Sequence, residues 1–323
     1  MSKEAFIFPG QGTQRKQMAQ ALLFHPNPDI SMIVNRTFEE ASNVLGNVDL
    51  KAICLSDPND LLDIPGFTEP AVLTTSVAAL RVLSYYDMRP DIVAGHSLGE
   101  FSALVASEVL TFPQAVRLVN LRGQFMERAA TVNPGGMAAV LGLSLEEIEP
   151  ICEESEAEIA NINAPNHIVI SGKNESITKF TERIGKRAIV KILRVSIPSH
   201  SSLMESVRED MRELIQNEVI SPPVIDFIQN TTADYAVNEE QIRQGIVDQP
   251  ARRVLWWPTM ELMVKDGVIN FIDIGPGEVL ARILQRESSK DGRLSRFRVT
   301  VETIKERFSN LPASGTIFLR GQT

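Results

Sequence analysis

Cysteine is scarce: the chain holds only Cys54 and Cys152. Two cysteines cannot build a disulfide framework, and they lack metal-site spacing, so a reducing compartment is expected. Positive charge is also short, with 32 Lys and Arg against 41 Asp and Glu and a net charge of −9. A nucleic-acid binder would more often be basic, so no nucleic-acid partner is expected. Nowhere do about 18 apolar residues run together, and Met1-Ser2-Lys3-Glu4 leads straight into a strand pattern. The reading therefore expects no membrane span and no signal peptide, and a cytoplasmic monomer. Internal repeats are absent. What is plentiful is apolar surface: 323 residues, 43% hydrophobic, suffice for one large domain and a smaller one.

The most informative stretch is Ile92-Val-Ala-Gly-His-Ser-Leu-Gly-Glu100. It contains Gly95-x-Ser97-x-Gly99, with apolar residues before it and a helical pattern after it (Phe101, Leu104, Val105, Val109). That is a nucleophile elbow, a tight strand-to-helix turn that lifts a serine hydroxyl clear of a sheet. The glycines are needed because a Cβ at either position would clash. N–H groups at the start of the following helix can stabilise an oxyanion.

Upstream, Ala5-Phe-Ile-Phe8 reads as a buried strand closed by Pro9-Gly10-Gln11-Gly12. No third glycine follows at dinucleotide-binding spacing. Gln11 falls at the C-terminal edge of a parallel sheet, where active sites gather, with turn capping as its other reading. Ser31 to Leu45 reads as an amphipathic helix, 57–66 as a loop with a helical turn, and Ala71 to Tyr85 as a long helix with Thr68 as cap and Pro70 in its first turn. Phe101 to Val109 and Phe112 to about Ala130 are helices. The second carries Arg122 beside an apolar face and next to Gly123, which admits close approach of backbone or ligand.

From Gly136 the pattern becomes strand (137–143), helix opened by the capping box Ser144-x-x-Glu147, strand (159–163), strand (167–171), helix (175–185), strand (189–195). This β-α-β-β-α-β order is ferredoxin-like. Pro-punctuated boundaries make it an insert: 134–197 within a catalytic domain of 1–133 and 198–286, followed by a charged tail, 287–323, in which 297–301 is strand-like and the last dozen residues are expected to be disordered. A helix (202–215), a strand (224–228), a helical stretch (237–249), a helix entered through Val254-Leu-Trp-Trp257, a strand (268–274) and a helix (279–284) complete the larger domain. A serine nucleophile needs a base. Of four histidines, His25 lies in a polar loop, His96 packs under the elbow and His167 starts a hairpin strand; only His200 stands at the junction of the two modules.

With Phe8-Pro-Gly-Gln-Gly-Thr-Gln14, Gly95-His-Ser-Leu-Gly-Glu100, Leu121-Arg-Gly123, Gly136-Met-Ala-Ala139, Asn161-x-Asn163, Pro198-Ser-His200 and Ile274-Gly-Pro-Gly277, the chain resembles the malonyl-CoA:acyl carrier protein transacylases of fatty-acid and polyketide synthesis from residue 5 to about 286. The resemblance implies an α/β fold, an α/β-hydrolase-like parallel-sheet domain with an inserted ferredoxin-like subdomain. It implies Ser97 as nucleophile, His200 as general base and acid, Gln11 and the Leu98 N–H as oxyanion hole, and Arg122 as the partner of the malonyl carboxylate. Malonyl-CoA and the phosphopantetheine thiol of an acyl carrier protein are then substrates, and no cofactor or metal is needed. The family holds its histidine with a main-chain carbonyl from the segment corresponding to Val254-Leu255-Trp256. Leu255 stands where the family often has glutamine, Glu69 replaces another frequent glutamine, and Arg252-Arg253 replaces a frequent Asn-Pro. Without a substrate, Arg122 is expected to face water or an anion. The rival readings are an acyl-thioester hydrolase, against which Arg122 argues, and a non-catalytic carrier-docking scaffold, which would not need Ser97, His200 and Gln11. Lys179, Arg183, Lys186, Arg187, Lys191 and Arg194 concentrate positive charge in the small subdomain, where an acidic carrier could be steered.

Overall fold

The computed structural model describes residues 3–289, 294 and 299–309. The first strand, β1 (Lys3–Phe8), is apolar from Ala5 onward and lies at the centre of a parallel sheet. A central parallel strand is covered on both faces, so a continuous apolar run is what its position requires. Its neighbour β2 (Ile92–Gly95) is buried throughout and carries the elbow at its C-terminal end.

Between residues 135 and 192 the chain builds a second sheet from β3 (Gly135–Leu141), β4 (Glu158–Ala164), β5 (His167–Lys173) and β6 (Ile189–Ile192), all antiparallel, in the order β4-β5-β3-β6. With helices Leu145–Ser155 and Asn174–Ile184 as the crossovers, this is the ferredoxin-like arrangement the sequence pattern predicts. The capping box is present, the Glu147 carboxylate accepting from the Ser144 N–H at 2.9 Å.

The chain then returns to the first sheet with β7 (Asp226–Ile228), β8 (Val268–Asp273) and β9 (Thr300–Thr303), giving a five-stranded parallel sheet in the order β7-β2-β1-β8-β9. The stretch 287–323, read as a tail, thus contributes an edge strand. Its start overlaps the strand-like piece read at 297–301, and Val299 and Val301 pack against the core there. Residues 297 and 298 of the expected strand-like piece and the last dozen residues lie outside the described residues.

Three helices depart from the sequence reading, one of them Ile304–Ser309 in the stretch read as a tail. Helix Leu50–Ser56 was not anticipated; the Asp49 side chain caps it by accepting from the Ala52 N–H at 2.9 Å. The long helix starts at Pro65, not Ala71, and runs to Tyr85 with Pro70 inside it. A proline within a helix lacks the N–H that would bond the carbonyl four residues back. Here that carbonyl, Gly66, accepts instead from Asn120 Nδ2 at 2.7 Å. Thr68 lies within the helix, and its hydroxyl donates to the Leu62 and Ile64 carbonyls rather than capping. Asn120 belongs to helix Phe112–Val132, which packs against this one so closely that a Cβ on Gly123 would lie 2.6 Å from the Pro65 carbonyl carbon. Gly123 therefore serves backbone approach, and the approach brings Arg122 to the second turn of helix Pro65–Tyr85.

The two sheets meet beside the elbow. The Ile162 N–H of β4 donates to the Val254 carbonyl (2.9 Å), and the Val254 N–H returns a bond to the Ala160 carbonyl (2.8 Å). This pins segment 249–254 to the small sheet.

Candidate active site

Ser97 has φ +51°, a left-handed conformation that costs energy for any residue bearing a Cβ. A Cβ on Gly95 would fall 1.9 Å from the Gly99 carbonyl oxygen, and one on Gly99 would fall 2.1 Å from the Phe8 carbonyl oxygen, so both glycines of the motif are sterically required. Two side-chain amides hold the strained residue. Asn230 Oδ1 accepts the Ser97 N–H at 2.6 Å while its Nδ2 donates to the Gly95 carbonyl. Gln249 Nε2 donates to the Ser97 carbonyl at 2.8 Å and to Glu100 Oε2 at 2.7 Å. Glu100 Oε1 in turn accepts the Asn230 N–H at 3.0 Å. All three of these clamping residues are buried, and burial pushes the Glu100 carboxyl up to about 7.

His200 Nε2 lies 2.7 Å from Ser97 Oγ. Its Nδ1 faces two carbonyl oxygens, of Gln249 (2.9 Å) and Arg252 (3.1 Å). Carbonyls only accept, so Nδ1 carries the proton and Nε2 is left as the acceptor for the serine hydroxyl. The expectation that a carbonyl of Val254-Leu255-Trp256 holds the imidazole is corrected: the Val254 carbonyl is committed to Ile162 and the Leu255 carbonyl to Thr259, and the chain meets the ring one turn earlier. His200 itself has φ +60°, and its N–H donates to the Pro250 carbonyl at 2.8 Å. Burial, reinforced by the Arg122 cation, lowers its pKa to about 3, so the resting imidazole is neutral and ready to accept a proton.

The exit of the first strand packs against the elbow. Leu98 immediately precedes helix Gly99–Ala106, so its N–H is among those at a helix start that lack an intrahelical acceptor. The Ser97 N–H is already taken by Asn230. Gly10 packs on the elbow, where a Cβ would lie 2.4 Å from the His96 carbonyl oxygen and 3.5 Å from the Leu98 nitrogen. His96 turns away from the serine, its Nε2 2.8 Å from Asn163 Oδ1 and its ring edge-on to Trp256.

Arg122 reaches this cluster, but not with a free guanidinium. Its Nη1 pairs with Glu69 and its Nη2 donates to Gln249 Oε1 at 2.8 Å, with Arg122 and Glu69 both essentially inaccessible to solvent. The expectation of a cation facing water or an anion is therefore corrected: a carboxylate of the chain itself occupies it, because close packing of the two helices puts Glu69 within reach. Burial raises the Glu69 pKa and Arg122 opposes that rise. Sequence reasoning named Ser97, His200, Gln11, Leu98 and Arg122 as the site. It missed Asn230, Gln249 and Glu100, and of these Asn230, just past the C-terminal end of β7, carried a usable signal of position.

A cleft of about 580 Å³ opens onto His200, lined also by Ile159, Thr231, Ala251, Arg252 and Arg253. It lies between the sheets and is within the size range of small-molecule sites. Arg252 pairs with Glu205 at 2.5 Å and Arg253 faces Glu149 at 3.7 Å.

A serine on an elbow, an imidazole held by main-chain carbonyls and a buried arginine joined to the elbow through Gln249 fit acyl transfer, and comparison with known proteins agrees. Residues 5–311 match the acyl transferase domain family. The chain belongs to that family. The acyltransferase is 37% identical to the malonyl CoA-acyl carrier protein transacylase of Staphylococcus aureus strain COL, over 94% of this chain and 98% of the relative. It is 36% identical to the protein of that name from Haemophilus influenzae, over 88% and 92% of the two chains. Among solved structures, the FabD protein of Acinetobacter baumannii superposes with a TM-score of 0.86 at 34% identity, covering 95% of each chain. A malonyl-transacylase solved in complex with a type II polyketide acyl-carrier protein gives 0.83 at 34% identity, covering 94% of the acyltransferase and 95% of that chain. No helix among the described residues of the acyltransferase is long and apolar enough to cross a membrane.

Proposed function

We propose that this acyltransferase moves a malonyl group from malonyl-CoA, by way of an ester on Ser97, to the phosphopantetheine thiol of an acyl carrier protein. The observation that carries the reading is the 2.7 Å contact between Ser97 Oγ and the acceptor nitrogen of a neutral His200. Ser97 Oγ attacks the thioester carbonyl carbon while its proton passes to His200 Nε2. The Leu98 N–H and the Gln11 side chain stabilise the oxyanion. The C–S bond breaks, and the departing CoA thiolate takes the proton from His200. In the second half the carrier thiol gives its proton to His200, its sulfur attacks the ester carbonyl, and Ser97 Oγ leaves with that proton. The two half-reactions share one site, a ping-pong cycle. Names of relatives at 36–37% identity support malonyl as the group moved and an acyl carrier protein as acceptor. Positive charge at Lys179, Arg183, Lys186, Arg187, Lys191 and Arg194 supports docking of an acidic carrier on the small subdomain.

The test is the mass of the intact protein after brief exposure to malonyl-CoA. A single malonyl adduct is expected on the wild type and none on Ser97→Ala; an undiminished adduct on the variant would remove Ser97 from the mechanism.

A further inference from the structure

Behind the elbow, joined to it through Gln249, lies a buried charge the cycle does not use. Glu69 lies on helix Pro65–Tyr85, fully buried, with one oxygen on Arg122 Nη1 and the other, Oε2, without a hydrogen-bond partner among the described residues. Arg122 Nε likewise has no partner, and Nη2 is spent on Gln249. Glu69 and Arg122 thus meet at a single point rather than in the two-point match a guanidinium can give a carboxylate. Together they form a buried pair with no net charge.

We propose that Glu69 is a specificity-determining residue that neutralises Arg122, so that this acyltransferase loads uncharged short acyl groups such as acetyl nearly as readily as malonyl. The proposal rests on the acyl-enzyme reading above. A buried guanidinium with no internal partner would be left unpaired by an acetyl group and satisfied by a malonyl group. Leaving one member of a buried charge pair unmatched corresponds to discrimination of about 30- to several-thousand-fold. Glu69 removes most of that difference, because it satisfies the cation whatever the acyl group carries. A malonyl carboxylate entering the pocket must instead share Arg122 with a second buried carboxylate, or arrive together with a proton for one of them. Glu127 offers no relief, since its carboxylate accepts from the Gly66 N–H and adds further negative charge nearby. An uncharged acyl group needs no such rearrangement. Its transfer follows the same balanced steps: the serine ester forms as the C–S bond breaks, and one proton shuttles through His200.

The experiment measures kcat/KM for acylation by malonyl-CoA and by acetyl-CoA on the wild type and on Glu69→Gln, with intact mass confirming that the adduct is on Ser97. The wild-type malonyl-to-acetyl ratio is expected to lie below about 30, the lower bound for an unpaired buried partner. In Glu69→Gln, which keeps the shape and one acceptor oxygen, the ratio is expected to rise at least about tenfold, through the malonyl value. A wild-type ratio above that bound, or a ratio in the variant that is unchanged or lower, overturns the proposal. If Glu69→Gln fails to fold, the wild-type ratio alone decides. Should neither thioester label Ser97, the acyl-enzyme reading falls; labelling by malonyl with a high wild-type ratio removes only the role of Glu69.

Discussion

Lowering the pH separates His200 from an ordinary imidazole. An unperturbed histidine with a pKa of about 6.5 is only about 9% neutral at pH 5.5, so a reaction using it as base would slow about tenfold between pH 8 and pH 5.5. In the folded protein burial and the Arg122 cation put the His200 pKa at about 3, so the imidazole stays neutral across that window. The acylation rate, read as adduct formation by quenched-flow mass analysis, is therefore expected to change less than about twofold from this group. Glu100, pushed up to about 7 and bonded to Gln249 and Asn230, titrates within the window, so the Glu100→Gln variant is the control. Stability moves the opposite way. A depressed histidine pKa means that the native state binds fewer protons than the unfolded chain below pH 6.5, so stability is lost as pH falls. At pH 5.5 the loss from His200 is about 1.4 kcal/mol. A tenfold decline in acylation following a single pKa near 6.5, in both the wild type and Glu100→Gln, would refute the argument.

Other substitutions probe the same construction. His200→Asn, chosen because asparagine tolerates the φ of +60°, is expected to leave the fold intact and slow acylation by about 10²- to 10⁴-fold; a rate near wild type would exclude His200 as the base. Asn230→Asp retains the acceptor for the Ser97 N–H but sets an oxygen against the Gly95 carbonyl, so the elbow shifts and acylation is expected to fall about 100-fold with the KM for malonyl-CoA little changed. Gly123→Ala forces helices Pro65–Tyr85 and Phe112–Val132 apart and is expected to cost about 1–3 kcal/mol, visible as a lower Tm in calorimetry. Lys186→Glu with Lys191→Glu is expected to raise the KM for the carrier while leaving acylation by malonyl-CoA unchanged; an equal effect on both half-reactions would argue against docking on that face.

Much of the frame is legible because it follows local rules. The Gly95-x-Ser97-x-Gly99 turn announces itself through two glycines that geometry requires. The small subdomain shows its order through alternating strand and helix periods. His200 emerges by elimination among four histidines. What stayed hidden depends on partners distant in the chain. The carbonyls of Gln249 and Arg252 that hold the imidazole leave no trace in sequence, since every residue has a carbonyl. Gln249 reads as the polar end of a helix until Ser97, Glu100 and Arg122 are seen to converge on it. The start of helix Pro65–Tyr85 was misplaced because Pro70 reads as a first-turn residue; the proline is tolerated deeper in the helix only because Asn120 takes the freed Gly66 carbonyl. Glu69 could be flagged as unusual, but its pairing with Arg122 exists only once two helices pack against each other.

The charge inventory explains why His200 is held by carbonyls and not by a carboxylate. The site already buries Glu69 and Glu100 against one guanidinium, and burial raises the pKa of both carboxyls. A third buried carboxylate about 4 Å from another would meet a repulsion of about 4 kcal/mol at an effective dielectric of 20. It would take up a proton, and a protonated acid does not orient an imidazole as a base. Two carbonyl oxygens supply the same orientation with no net charge, fix the same tautomer, and stabilise the imidazolium by their dipoles when it forms. The cation they favour is weaker than one beside a carboxylate, but the chemistry asks for no more. The leaving group is a thiolate whose conjugate acid has a pKa of about 8.5, and the attacking thiol gives up its proton as easily. A neutral, carbonyl-held histidine thus suits thioester exchange, whereas expulsion of a strongly basic amine would need a better-stabilised imidazolium.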